Sequence, residues 1–170
     1  AKIAGVKGIV IQASCGYDIL SLAVEAAAKS VRLTQRPEGP IILGAAVPPA
    51  MNAATLHDTM ICASSRSEYV CHIANICCKA GIHGLLVEYE DIRPIRKVCD
   101  IPLLANTRRK IESYEVAISP EEKKQPGVCE VLKAGATHAI LGAELIGHDA
   151  EWCADMVRKD VTRLTRRKPV

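Results

Sequence analysis

Phenylalanine is missing from this chain, tryptophan occurs once and tyrosine four times in 170 residues. So few rings exclude a nucleic-acid surface built on base stacking, and they force the core to be aliphatic. Charge of one sign is also scarce. The 22 Lys and Arg against 19 Asp and Glu leave +3, too little for the footprint of a DNA or RNA binder. No run of about 18 apolar residues is present, which argues against a transmembrane helix. The first ten residues carry lysines but no apolar stretch of a secretory signal. The expectation is a cytoplasmic protein with no nucleic-acid or membrane partner. No C-x-x-C spacing occurs among the eight cysteines, and no cofactor fingerprint stands out.

What is present is an apolar half, 49% of the residues, enough for one ordinary core, so residues 1–170 read as a single α/β domain. The cysteines sit inside apolar runs and read as reduced, space-filling side chains. Zinc through Cys71, His72, Cys77 and Cys78 is weighed and set aside, because adjacent Cys77 and Cys78 point to different sides of a helix. No metal is expected.

Short β-branched runs alternate with segments of helical period. Gly8–Ala13 reads as a buried strand. Asp18–Leu33 reads as a helix, with Asp18 as its N-cap and Ile19, Leu22, Ala23, Ala26 and Ala27 as its apolar face. Pro40–Ala45 is a second strand, followed by a loop over Val47–Ala54. Thr55–Ala80 is helical with a break near Ser64–Ser67. The third strand lies within Gly81–Glu88, a helix over Asp91–Cys99, and the fourth strand over Ile101–Ala105. Tyr114–Ser119 is a further strand candidate, Pro120–Ala134 a loop leading into a short helix, Thr137–Gly142 a strand, and Ala150–Arg166 a final amphipathic helix. Lys-Ala-Gly recurs at Lys79–Gly81 and Lys133–Gly135, each time ending a helix and launching a strand, which is helix C-cap chemistry.

This alternation predicts a parallel sheet of βα repeats with helices on the faces, either TIM-barrel-like or an incomplete barrel. The alternative is a three-layer flavodoxin-like sandwich. A whole barrel takes about 250 residues and seldom fewer than about 200. Both architectures bind ligands at the C-terminal ends of the strands. The loops to watch are therefore Ser14–Tyr17, Ala46–Ala54, Glu88–Asp91, Asn106–Lys110 and Ala143–Asp149. An incomplete barrel also exposes strand edges, and pairing of copies would cover them, so a homo-oligomer is expected.

The run KAGIHGLLVEYEDIRPIRKVCDIPLLANTRRKIESYEVAIS at Lys79–Ser119, then Pro120, and LKAGATHAILGAE at Leu132–Glu144 resemble the N-acetylmannosamine-6-phosphate 2-epimerases. The resemblance spans about residues 39–144. It implies a TIM barrel and an isomerase of carbohydrate metabolism that epimerises an amino-sugar or sugar phosphate by proton transfer. The family's catalytic lysine is here Arg108, its Ser-Cys-Gln on the first strand is Gly44, Ala45 and Ala46, and its arginine on the next strand is Leu86. Arginine cannot serve as a general base. The alternative function is a non-catalytic α/β domain that binds a ligand or a partner subunit.

The candidate site residues follow from these placements. Glu88 ends a strand and is the carboxylate for acid–base work, with Arg108 beside it in the catalytic group. Arg109 and Lys110 extend the cationic clamp on a phosphate, since guanidinium matches phosphate geometry. Gly142 and Ala143 offer backbone N–H groups to the same anion, although Glu144 next to them opposes it. Asp91 reads as an N-cap for the following helix. Cys15 is weighed as a thiol at a helix start, and His57, His83, His138 and His148 as its possible base. The expected partner is a small sugar phosphate.

Overall fold

The computed structural model describes residues 6–34, 39–47, 65–107 and 126–141, and six helical positions beyond them, 151, 154, 155, 158, 159 and 162. Five strands form one sheet: β1 (Gly8–Gln12), β2 (Ile41–Ala45), β3 (Gly84–Val87), β4 (Leu103–Asn106) and β5 (His138–Ile140). Four helices connect them: α1 (Tyr17–Thr34), α2 (Arg66–Ala80), α3 (Tyr89–Arg96) and α4 (Val128–Ala134). Tyr114–Ser119 lies outside the described residues, as do residues 48–64 and 142–150.

Every strand pair is parallel, and the order across the sheet is the order along the chain. Helices pack in sequence as well: α1 against α2, α2 against α3, α3 against α4. Each crossover thus steps one strand in the same direction and lays its helix on the same face. That is the winding of a barrel. A flavodoxin-like sheet reverses direction part-way and puts helices on both faces, so the sandwich alternative falls. The described residues supply five of the eight strands that a closed barrel has.

The pleat divides the strand residues between two faces. Ile9, Ile11, Ile42, Leu85, Val87, Leu103, Ala105 and Ala139 face the helices and form the core with Leu20, Ala27, Val70, Ile73, Ala74, Cys77, Ile92, Ile95 and Val131. This core is aliphatic, as the shortage of rings requires. The opposite face, the barrel interior, carries Val10, Leu43, Leu86, Leu104 and Ile140, all less buried; Val10 is 55% exposed. Gly84 sits on that inner face because a Cβ there would lie 3.0 Å from Leu104 Cδ1 and 3.2 Å from Leu43 Cδ2.

Two readings of the helices change. α1 buries Leu20 and Ala27 and leaves Ile19, Leu22 and Ala26 toward solvent. Its sequence holds two apolar stripes, so the helical period alone does not choose between them. Asp18 lies inside the first turn, where it favours the helix dipole, and is not the cap. α2 begins after Ser65, whose Oγ accepts from Glu68 N at 3.2 Å; the part of the expected Thr55–Ala80 helix before Ser65 lies outside the described residues. Gly81 (φ 74°) and Gly135 (φ 115°) take left-handed conformations after α2 and α4, as the repeated Lys-Ala-Gly predicts. At the amino end of the sheet, Arg96 donates from Nε to Gly135 O (2.8 Å) and from Nη1 to Ile101 O (2.6 Å), tying the entries to β4 and β5 together.

Candidate functional site at the carboxyl ends of the strands

Among the described strand residues, polar side chains on the inner face gather where the strands end, apart from the exposed His138 at the start of β5. Gln12 closes β1, Glu88 continues β3 in extended conformation (φ −82°, ψ 158°), and Asn106 closes β4. The register pairs Gln12 with Ala45, Ala45 with Leu86, and Leu86 with Leu104; Glu88 and Asn106 stand one pleat further on. Asn106 Nδ2 donates to Glu88 Oε1 at 3.4 Å, and both side chains are half-buried. Gln12 Nε2 is buried and has no hydrogen-bond partner among the described residues.

A second cluster stands beside the first. Arg66, the first residue of α2, donates from Nε to Asp91 Oδ1 (2.8 Å) and from Nη2 to Asp91 Oδ2 (2.7 Å), and its Nε also meets Glu90 Oε1 at 2.8 Å. Asp91 is 2% exposed. The hydrogen bond to Asp91 holds the Arg66 guanidinium above its ordinary range, against the opposing pull of burial. Asp91 is therefore not the cap expected of it. The cap position is Glu88, with α3 starting at Tyr89, and Asp91 locks the first turn of α3 onto the start of α2. This ion pair fixes the backbone that carries Glu88.

Of the sequence-predicted site residues, Glu88 stands at the carboxyl end of its strand, beside Asn106. Arg108, Arg109, Lys110, Gly142 and Ala143 lie outside the described residues, and so do His57 and His148. The strand ends from which residues 108–110 and 142–143 continue are nevertheless direct neighbours. Asn106 pairs with Ile140, and Thr107 donates to Ile140 O from both N and Oγ1, each at 2.9 Å. Gln12, Asn106 and Arg66 were not singled out by sequence. The first two had a signal, since each is a polar residue ending an otherwise apolar strand.

The described cysteines take no part in this cluster. All six that are described carry free thiols. Burial pushes the Cys77 thiol up to about 12 and the Cys78 thiol to about 11, with a hydrogen bond to Cys99 adding to the latter, and it raises Cys71 too. None of these three supplies a thiolate near neutral pH. Cys15 is exposed, its Sγ 4.0 Å from Gly16 O, while His83 Nδ1 accepts from Ile42 N and His138 Nδ1 lies 2.9 Å from Thr137 Oγ1. Cys77 is buried and Cys78 exposed, on different sides of α2. Among the described residues no group of three or more His, Cys, Asp or Glu side chains is placed to hold a metal ion, and no helix is long and apolar enough to cross a membrane.

Fold and site together define a parallel βα barrel segment with its polar groups at the carboxyl ends of the strands. Comparison with known proteins agrees on the class. The chain is 28% identical over 138 residues to the orotidine 5'-phosphate decarboxylase of Heliobacterium modesticaldum, covering 81% of this chain and 56% of that one. It thus spans about half the length of that curated relative. Among solved structures it is similar to an uncharacterized conserved protein from Geobacillus kaustophilus (TM-score 0.70, 14% identity, 94% of this chain and 65% of that chain). It is similar also to the orotidine 5'-phosphate decarboxylase from Lactobacillus acidophilus (TM-score 0.69, 12% identity, the same shares of the two chains). No family model matches. These findings overturn the epimerase resemblance, since the likeness runs to the decarboxylase in sequence and in fold. The structure gives the physical side of that correction. Gly44 faces the helices, where a Cβ would lie 3.0 Å from Leu85 Cδ2 and 3.2 Å from Cys77 Sγ. The serine that the epimerases would place there would crowd both side chains and face the helices, away from the inner face.

Proposed function

We propose that the carboxyl ends of these strands bind a phosphorylated pentose, a nucleotide or a sugar phosphate, within an enzyme site. The observation that carries this reading is the 138-residue likeness to an enzyme named for orotidine 5'-phosphate. The geometry supports it. β4 and β5 end side by side, and the residues that continue from them include Arg108, Arg109 and Lys110 on one side and Gly142 and Ala143 on the other. Guanidinium and ammonium groups and backbone N–H groups are donors that hold phosphate. In this reading the cations take the phosphate, while Glu88 meets the remainder of the ligand.

Isothermal titration of the 170-residue chain with orotidine 5'-phosphate, orotidine and inorganic phosphate tests this. The phosphate ester is expected to bind at least tenfold tighter than the nucleoside. Arg109→Ala is expected to weaken it about tenfold to a hundredfold, since a charge-assisted hydrogen bond contributes roughly 1.5–3 kcal/mol and about 1.4 kcal/mol is a factor of ten. Equal affinity for the ester and the nucleoside, or an unchanged affinity in Arg109→Ala, contradicts the reading.

A further inference from the structure

The inner face changes character along the strands. At the level of Val10 and Leu43 it is aliphatic; at the carboxyl end it carries Gln12, Glu88 and Asn106. On such a face Gln12 stands out, because its Nε2 is buried with no acceptor among the described residues. A buried donor left unpaired is costly, and native structures keep few of them. One that sits at the ligand-binding end of a barrel is accounted for by an acceptor that arrives with the ligand.

Glu88 and Asn106 supply a second, independent observation. Their mutual contact of 3.4 Å is longer than an ordinary hydrogen bond, so neither group is used up by the other. The carboxylate has room for further donors, and the amide keeps a second N–H and its carbonyl oxygen. Adjacent strands hold the two rigidly side by side. A vicinal diol complements this pair, because each hydroxyl donates to a carboxylate or amide oxygen and accepts from an amide N–H. Gln12 lies two strands from Glu88 and three from Asn106, one pleat lower, about 10–14 Å across the sheet and about 7 Å along it. That separation suits the two ends of one nucleoside-sized ligand, not one ring.

Resting on the phosphorylated-pentose reading above, we propose that Gln12, Glu88 and Asn106 read the uncharged part of that ligand. Glu88 and Asn106 bind the vicinal hydroxyls of the sugar, and Gln12 Nε2 donates to an oxygen acceptor at the other end. None of the three touches the phosphate, so sugar selectivity separates from phosphate affinity.

Calorimetry on the whole chain with ribose 5-phosphate, 2-deoxyribose 5-phosphate and inorganic phosphate tests the diol. Ribose 5-phosphate is expected to bind about tenfold tighter than the deoxy compound, and Glu88→Gln to shrink that ratio to about twofold while leaving inorganic phosphate unchanged. Gln12→Leu separates ligand binding from packing. It is expected to raise the melting temperature of the free protein by about 3 °C, by removing the orphaned donor, and to weaken orotidine 5'-phosphate about fivefold to tenfold. Phosphate-dependent binding with no ribose preference overturns the diol assignment and leaves the proposed function standing. A lower melting temperature in Gln12→Leu makes that side chain a packing group and overturns its role here. Failure of every phosphate compound to bind overturns both readings.

Discussion

Arg66→Met is expected to lower the unfolding free energy by about 3–5 kcal/mol. The reason lies in the partner. Asp91 is 2% exposed and takes two hydrogen bonds from the guanidinium, at 2.8 and 2.7 Å. Methionine fills much of the arginine's volume, so packing is largely kept, but the carboxylate is left buried without a counter-charge. The converse change, Asp91→Ala, is expected to do less harm, because Arg66 retains Glu90 at 2.8 Å and is 17% exposed against 2% for Asp91. Arg66→Met combined with Asp91→Leu is expected to recover most of the loss, since apolar replacement of both partners removes the stranded charge. Urea unfolding of the three variants measures this. A double variant no more stable than Arg66→Met contradicts the ion-pair reading, and the α2–α3 contact would then depend on arginine for its shape alone.

Leu85→Ala and Leu86→Ala, adjacent in one strand, are expected to differ sharply. Leu85 is fully buried against the helices, beside Gly44 and Leu103, and truncation there costs about 2–5 kcal/mol. Leu86 points to the inner face and is only partly buried, so its loss is expected to cost less than half as much. The comparison tests the winding directly. A singly wound sheet covers one face with helices, whereas a doubly wound sheet covers both. Equal losses at the two positions would mean that both faces are packed alike, against the barrel winding.

The sequence made the βα alternation legible because both of its signals are local. Runs such as GIVIQ and LLAN are too apolar for a half-solvated strand, and each Lys-Ala-Gly marks a helix end by its need for a left-handed residue. Strand order is non-local, and sequence left the barrel and the sandwich open until the register joined β1 to β2 and β2 to β3. The role of Asp91 was hidden for the same reason, since its partner is 25 residues earlier in the chain. α1 misled because Ile19 and Leu22 form an apolar stripe as good as Leu20 and Ala27. The epimerase resemblance misled differently. Its fragments were strand entries and helix ends, which any βα barrel requires, so they reported the architecture and not the chemistry. Gly44 and Leu86, where that family's functional side chains would stand, are a crowded helix-facing position and an apolar inner-face position. The polar residues that do end the inner strands, Gln12 and Asn106, could have been found by asking which strand residues break the apolar run.

A phosphorylated ligand is expected to meet the carboxyl ends of the strands on the inner face. Titrating the isotopically labelled chain with orotidine 5'-phosphate and following backbone amide and side-chain amide resonances tests it most directly. The Gln12 and Asn106 side-chain amides and the backbone amides of Glu88, Asn106 and Thr107 are expected to shift together and saturate with one affinity, while Gly8, Ile41, Gly84 and Leu103 at the amino ends stay in place. Saturable shifts centred on the amino ends or on the outer faces of the helices, with Gln12 and Asn106 unmoved, would contradict it.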